Sequence, residues 1–212
     1  MSFPKLVAAL LLALVSAAAQ APLPTLRIEP TTGGSIFYIK NTYTQPVTAY
    51  LIELVDYPGS YYSLWEDVMT SEAIPAGGER RTPISNMTVG AVPDYVKMTA
   101  AVFADGSTSG VPEKITQVIE RRRATLQTIR ELIARAGKAG SKDALMADLK
   151  QWSDSMPPPT RANARSQAAI NQGASKLMIS NARNHLGTES MEKVLTDLRV
   201  MERFLAATKP AL

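Results

Sequence analysis

Val47-Thr48-Ala49-Tyr50-Leu51-Ile52-Glu53-Leu54-Val55 is rich in β-branched and aromatic side chains, the composition of a strand. Successive strand residues point to opposite faces, so Tyr50, Ile52 and Leu54 share one face and Val47, Ala49, Leu51 and Val55 the other. Both faces are apolar. A strand with one face in water alternates apolar with polar residues, so this one needs a cover on each side. A second layer of strands supplies one cover. The other is either a long helix that begins near Val111 and folds back, or a partner subunit.

Strand chemistry continues on both sides of this stretch. Ser35–Lys40 precedes it across an Asn41–Pro46 turn, and Leu26–Glu29 alternates up to Pro30 and a Thr31-Thr32-Gly33-Gly34 turn. Tyr57-Pro58-Gly59-Ser60 is a turn by its Pro-Gly pair. Ala73-Ile74 meets Pro75-Ala76-Gly77-Gly78, after which Glu79–Ile84 returns as a strand. In Tyr95–Ala104 the residues Val96, Met98, Ala100, Val102 and Ala104 fall on one face at period two. About six short strands separated by turns predict a small antiparallel sandwich.

Two stretches resemble a known architecture. Ser35-Ile36-Phe37-Tyr38-Ile39-Lys40-Asn41 through Val47–Leu54 looks like the first hairpin of Ig-like or fibronectin-III-like modules, and Ala73-Ile74-Pro75-Ala76-Gly77-Gly78-Glu79 is similar to a later turn of such modules. The resemblance covers residues 24–110 and implies an Ig-like β-sandwich with no catalytic residues. The chain has no cysteine, so the antibody-type subfamily, with its paired cysteines, is excluded.

From Val111 the period changes to that of helices. Ile115, Ile119, Arg122, Leu126, Ile129, Ile133 and Ala136 form one stripe on a long helix with Pro112 in its first turn and Gly137 or Gly140 at its end. Ser141 is placed to cap a second helix carrying Leu145, Met146, Leu149 and Trp152, which Pro157-Pro158-Pro159 stops. Thr160 is the expected cap of a third, running from Arg161 to about His185, with Ile170, Ala174, Leu177 and Met178 facing one way and Gly187 at its end. Thr188 opens a fourth with Met191, Val194, Leu195, Leu198, Met201 and Leu205 as its stripe. The fold class expected is therefore α+β, an N-terminal antiparallel Ig-like β-sandwich (residues 20–110) followed by a C-terminal bundle of three to four α-helices (residues 111–212).

Composition divides at the same place. Residues 20–110 hold five cationic and nine acidic side chains, net −4, whereas residues 111–212 hold seventeen and ten, net +7. All seven tyrosines precede Gly110. Ahead of both units, Lys5, an apolar stretch from Leu6 to Val15 and Ala17-Ala18-Ala19 have the form of a cleavable signal peptide over residues 1–19. That apolar stretch is too short for a hydrocarbon core of roughly 30 Å, and no later segment approaches a span. Export to the periplasm or beyond is the expectation. Without cysteine there is no disulfide, thiolate nucleophile or cysteine metal site, so the apolar core alone must hold the fold.

Few residues invite a chemical role. His185 is the only histidine, which excludes multi-histidine zinc sites, and its place at a helix end suits a capping or surface role. Gly106-Ser107-Thr108-Ser109-Gly110 has the strand-to-helix context of a nucleophile elbow but threonine at its centre; it reads as a turn whose serines can cap the following helix. Arg121-Arg122-Arg123 fans out by 100° per residue, so it offers phosphates no single face. Arg122 is expected across the core edge, stem buried and head wet. A secreted chain argues against nucleic acid; peripheral contact with an anionic surface suits the basic helices better. Asn86-Met87-Thr88 matches the glycosylation sequon.

The densest candidate surface is Tyr57, Tyr61, Tyr62 and Trp65, grouped in a stretch read as a loop around Asp56, Glu66 and Asp67. Aromatics so placed stack on sugar or peptide, or else plug the end of the sandwich. The expected function is that of an exported non-enzymatic binding protein of the cell envelope, needing no cofactor. Its partner is an envelope protein, a glycan or a second copy. The alternative is a glycoside-type hydrolase using a carboxylate pair from the same stretch.

Overall fold

The computed structural model describes residues 21–57, 61–68, 72–85, 93–160 and 162–212. The expected signal peptide, the Pro58-Gly59-Ser60 part of a turn and the Asn86-Met87-Thr88 sequon lie outside the described residues. Within them the chain is mixed α+β, with seven strands in two antiparallel sheets and four α-helices. One sheet has the order β1-β2-β5, from Thr25–Thr31, Gly34–Lys40 and Glu79–Ser85. The other has the order β4-β3-β6-β7, from Ser63–Asp67, Val47–Leu54, Val96–Phe103 and Thr108–Gly110.

The strands around Leu26, Ser35, Val47, Glu79 and Val96 fall where the alternation puts them, but the faces do not. Val47 pairs with Phe103 and Ala49 with Val102, so Thr48 is an extra residue in β3; Leu51 pairs with Ala100 and Ile52 with Met98, so Thr99 is extra in β6. Each bulge resets the side-chain alternation. Val47 therefore joins Tyr50, Ile52 and Leu54, while Ala100 and Val102 leave the face of Val96 and Met98 and join Ala49 and Leu51. The bulging threonines are tied down by their hydroxyls: Thr48 Oγ1 donates to Val102 O at 3.1 Å and Thr99 Oγ1 to Glu53 Oε2 at 2.8 Å.

The inner face of β3 and β6 shares one apolar core with Phe37 and Ile39 of β2, with Leu26 and Ile28 of β1 and Ile84 of β5 packed against it. The outer face carries a second, smaller cluster: Ala49, Leu51, Ala100 and Val102 meet Val118 and Ile115 of the first helix, α1 (Pro112–Lys138). The helix that the doubly apolar stretch requires is supplied by the chain itself.

Gly110 makes the turn into α1. Its φ is 118°, and a Cβ there would lie 2.2 Å from Thr99 O, so only glycine fits. Pro112 occupies the first turn as expected, but Val111 is the N-cap and no serine caps the helix. Thr108–Gly110 is drawn into pairing with Ala100–Val102, and Ser107 instead donates through N–H and Oγ to Asp105 Oδ1 at 2.9 and 2.6 Å.

Three further helices follow: α2 (Lys142–Ser155), α3 (Gln167–Thr188) and α4 (Met191–Ala206). Ser141 caps α2 as expected. The third helix starts later than Arg161, with Ser166 as its cap, because residues 162–166 form turns, with Asn163 N–H bonding to Thr160 O and Ser166 N–H to Asn163 O. Ser190, not Thr188, caps α4, and α3 runs past Gly187 to Thr188. The far half of α1 (Leu126, Ile129, Leu132, Ala136) joins Leu145 and Leu149 of α2, Met178, Ile179, Ala182 and Leu186 of α3, and Val194, Leu198 and Leu205 of α4 in a helical core. Leu177, expected inside, is exposed, because the buried stripe of α3 runs through Ala174, Met178, Ile179 and Ala182. One helix thus belongs to two cores.

Candidate functional site

β4 runs through the stretch read as an aromatic loop, and strand alternation divides its residues. Trp65 faces outward into the cluster beneath α1, its Nε1 donating to Ser63 Oγ at 2.9 Å. Tyr57 and Tyr62 pack against the inner core. Burial pushes the Tyr62 hydroxyl up to about 12, with the charge of Glu66 adding to the effect. Tyr61 is exposed, and the Arg165 guanidinium lies 4.5 Å from its ring centroid. The four residues do not form one surface.

What gathers instead is an aromatic end of the β region. Tyr57, after β3, meets Tyr95, before β6, edge to face at 5.4 Å, and Tyr95 is 40% exposed. Val55 N–H bonds to Tyr95 O and Leu54 N–H to Tyr62 O, which holds the three segments at one end of the sheet. Tyr95 was missed in the sequence because it sits at the start of an alternating strand; Arg165 carries no signal there at all.

The seam beneath α1 holds the charge. Arg122 is 1% exposed, and its Nε donates to Asp67 Oδ2 at 2.5 Å while one terminal nitrogen donates to Thr48 O at 2.7 Å. Its other terminal nitrogen is 3.5 Å from Lys209 O, near the end of the chain. The wet head expected for Arg122 is therefore wrong: Asp67, on a strand not foreseen, draws the guanidinium inside. A second pair lies one end along, where Lys114 Nζ donates to buried Glu53 Oε1 at 2.8 Å. Arg121 places its guanidinium 5.5 Å from the Trp65 ring centroid, and burial pushes its pKa down, a shift that Asp67 and Glu66 oppose. The cavity beside these arginines holds about 20 Å³, room for roughly one water.

The remaining candidates are peripheral. Arg123 is exposed and paired with Glu120, so the three consecutive arginines do diverge. His185 is exposed in the last turn of α3, with Nδ1 3.4 Å from Glu189 Oε1. Glu66 and Asp67, being adjacent in a strand, point to opposite faces, and Asp56 is exposed with φ 57°. Among the described residues no group of three acids or histidines is placed to hold a metal ion, and no helix is long and apolar enough to cross a membrane.

No protein-family model, curated protein or solved structure matches the chain.

Proposed function

We propose that the protein is an exported, non-enzymatic binding protein of the cell envelope, an Ig-like β-sandwich braced by a helical bundle, which works through contacts at its aromatic end. The observation that carries this reading is the exposure of Tyr61 and Tyr95 at one end of a β region whose other broad face is covered by α1. The 3+4 strand order supports the Ig-like assignment. The carboxylates of the hydrolase alternative argue for binding as well, since Asp67 is engaged by Arg122 and Glu66 faces away from it.

The test uses the purified protein immobilised against detergent-solubilised envelope fractions. Saturable retention that falls at least tenfold in a Tyr61→Ala/Tyr95→Ala variant with unchanged thermal unfolding is the expected result. Both side chains are exposed, so the variant leaves the cores intact. Retention that ignores the double substitution removes the aromatic end from consideration. Turnover of a glycoside that is lost in Glu66→Gln establishes the hydrolase instead.

A further inference from the structure

Among the described residues the β region is open along one edge. β7 pairs with β6 only from Ala100 to Val102, and Val111 N–H adds one bond to Thr99 O before the chain leaves as α1. The first residues of β6, Val96–Met98, pair with Leu54, Glu53 and Ile52 of β3 on one side. On the other side no described strand pairs with them. Across the gap stands β1, the edge of the other sheet, which among the described strands pairs with β2. Between the two edges lies a slot of about 370 Å³ whose lining includes Leu23, Leu26, Ile28, Val96, Met98 and Lys97.

The slot is the continuation of the path of β7. β7 runs antiparallel to β6 toward Met98, and the positive φ of Gly110 and the helical start at Pro112 turn the chain out of that path. An edge of main-chain donors and acceptors recognises one thing well, another extended backbone. The floor adds a side-chain requirement. Leu23, Leu26 and Ile28 are only partly buried against the core, so a strand lying over them places every second side chain on apolar surface. Lys97 and Asp94 at the rim carry opposite charges, which selects against a strongly charged segment of either sign. A slot reaching along Val96–Met98 and the facing Leu23–Ile28 suits about five to seven extended residues at roughly 3.3 Å each.

We propose that this slot takes up an extended, alternately apolar segment of a partner protein as a strand added to β6. The inference rests on the binding function above and names the chemistry of its partner. It lies beside the aromatic end, because Asp94 and Val96 line the slot and Tyr95 between them pairs with Tyr57.

The probe is a phage-displayed library of random nonapeptides selected on the immobilised protein. The expected outcome is enrichment of peptides with apolar residues at every second position. N-methylation of alternate amides in one register of a selected peptide should weaken binding at least tenfold, and in the other register leave it unchanged. Enrichment at helical spacing, or equal tolerance of both N-methyl registers, overturns the proposal. So does a concentration-dependent dimer that excludes peptide. Absence of any enriched peptide overturns it too, while leaving the envelope-binding test on Tyr61 and Tyr95 to stand or fall separately.

Discussion

The two faces of the four-stranded sheet come from the same strands and are built of different materials. The inner face offers Tyr50, Ile52, Met98 and Phe103 to the opposite sheet, large side chains that fill the space between two layers. The outer face offers Ala49, Leu51, Ala100 and Val102 to α1 and flanks them with the Glu53–Lys114 and Asp67–Arg122 pairs. Small residues let the helix lie close but fix little about its position, since one alanine resembles the next. Buried ion pairs are costly to make and intolerant of displacement, so they fix the helix along and across the sheet. The inner face is specified by volume, the outer by charge register.

The sharpest way to break this contrast is to remove one charge. Asp67→Ala leaves the Arg122 guanidinium buried without its carboxylate, and the expected loss is about 3–5 kcal/mol in urea unfolding. Arg122→Met combined with Asp67→Leu should recover most of that loss. A cost under about 1 kcal/mol for Asp67→Ala would mean that the outer face is held by packing alone. Next in size is Ala100→Leu, which overfills the contact with Val118 and should cost about 1–3 kcal/mol by the same measurement. An unchanged midpoint would deny that α1 is closely seated.

The smallest effect belongs to the inner face and appears only in alkali. The Tyr62 hydroxyl titrates at about 12 in the folded protein, against about 10 in an unfolded chain. Below pH 10 both states keep the proton and the group contributes no pH dependence. Between about 10 and 12 the unfolded chain loses it first, so stability falls as pH rises. Melting temperature should therefore drop between pH 10 and pH 12, and Tyr62→Phe should drop less. Equal drops would place Tyr62 in water.

Much of this organisation is legible in residues 47–55, whose double-sided apolarity demands two covers before either is identified. The helical stripe containing Leu126, Ile129 and Ala136 is legible for the same reason, since periodicity reports burial directly. What escapes is anything set by a partner distant in sequence. Thr48 and Thr99 are ordinary strand residues, and only the pairing of β3 with β6 makes each a bulge. β4 escapes because Tyr61 to Asp67 mixes aromatics with acids; its two faces meet different layers, so neither face alternates cleanly. The environment of Arg122 depends on Asp67, a residue 55 positions earlier. Of the aromatic site, Tyr61 is legible as an exposed ring, whereas the Tyr57–Tyr95 contact needs two loops to meet.

The cover for Leu51 is encoded more than sixty residues after it, at Ile115 and Val118. At roughly 5–20 residues per second, a ribosome takes about 3–13 s to deliver that helix. The sheet itself is finished only with Val96–Phe103 and Thr108–Gly110, so a chain that stops at Gly110 holds strands covered on one side and apolar on the other. A further tie, from Arg122 to Lys209 O, is encoded 87 residues beyond Arg122. A chain interrupted at Gly110 therefore leaves Leu51 and Val102 bare on that face, and a chain that includes α1 covers them.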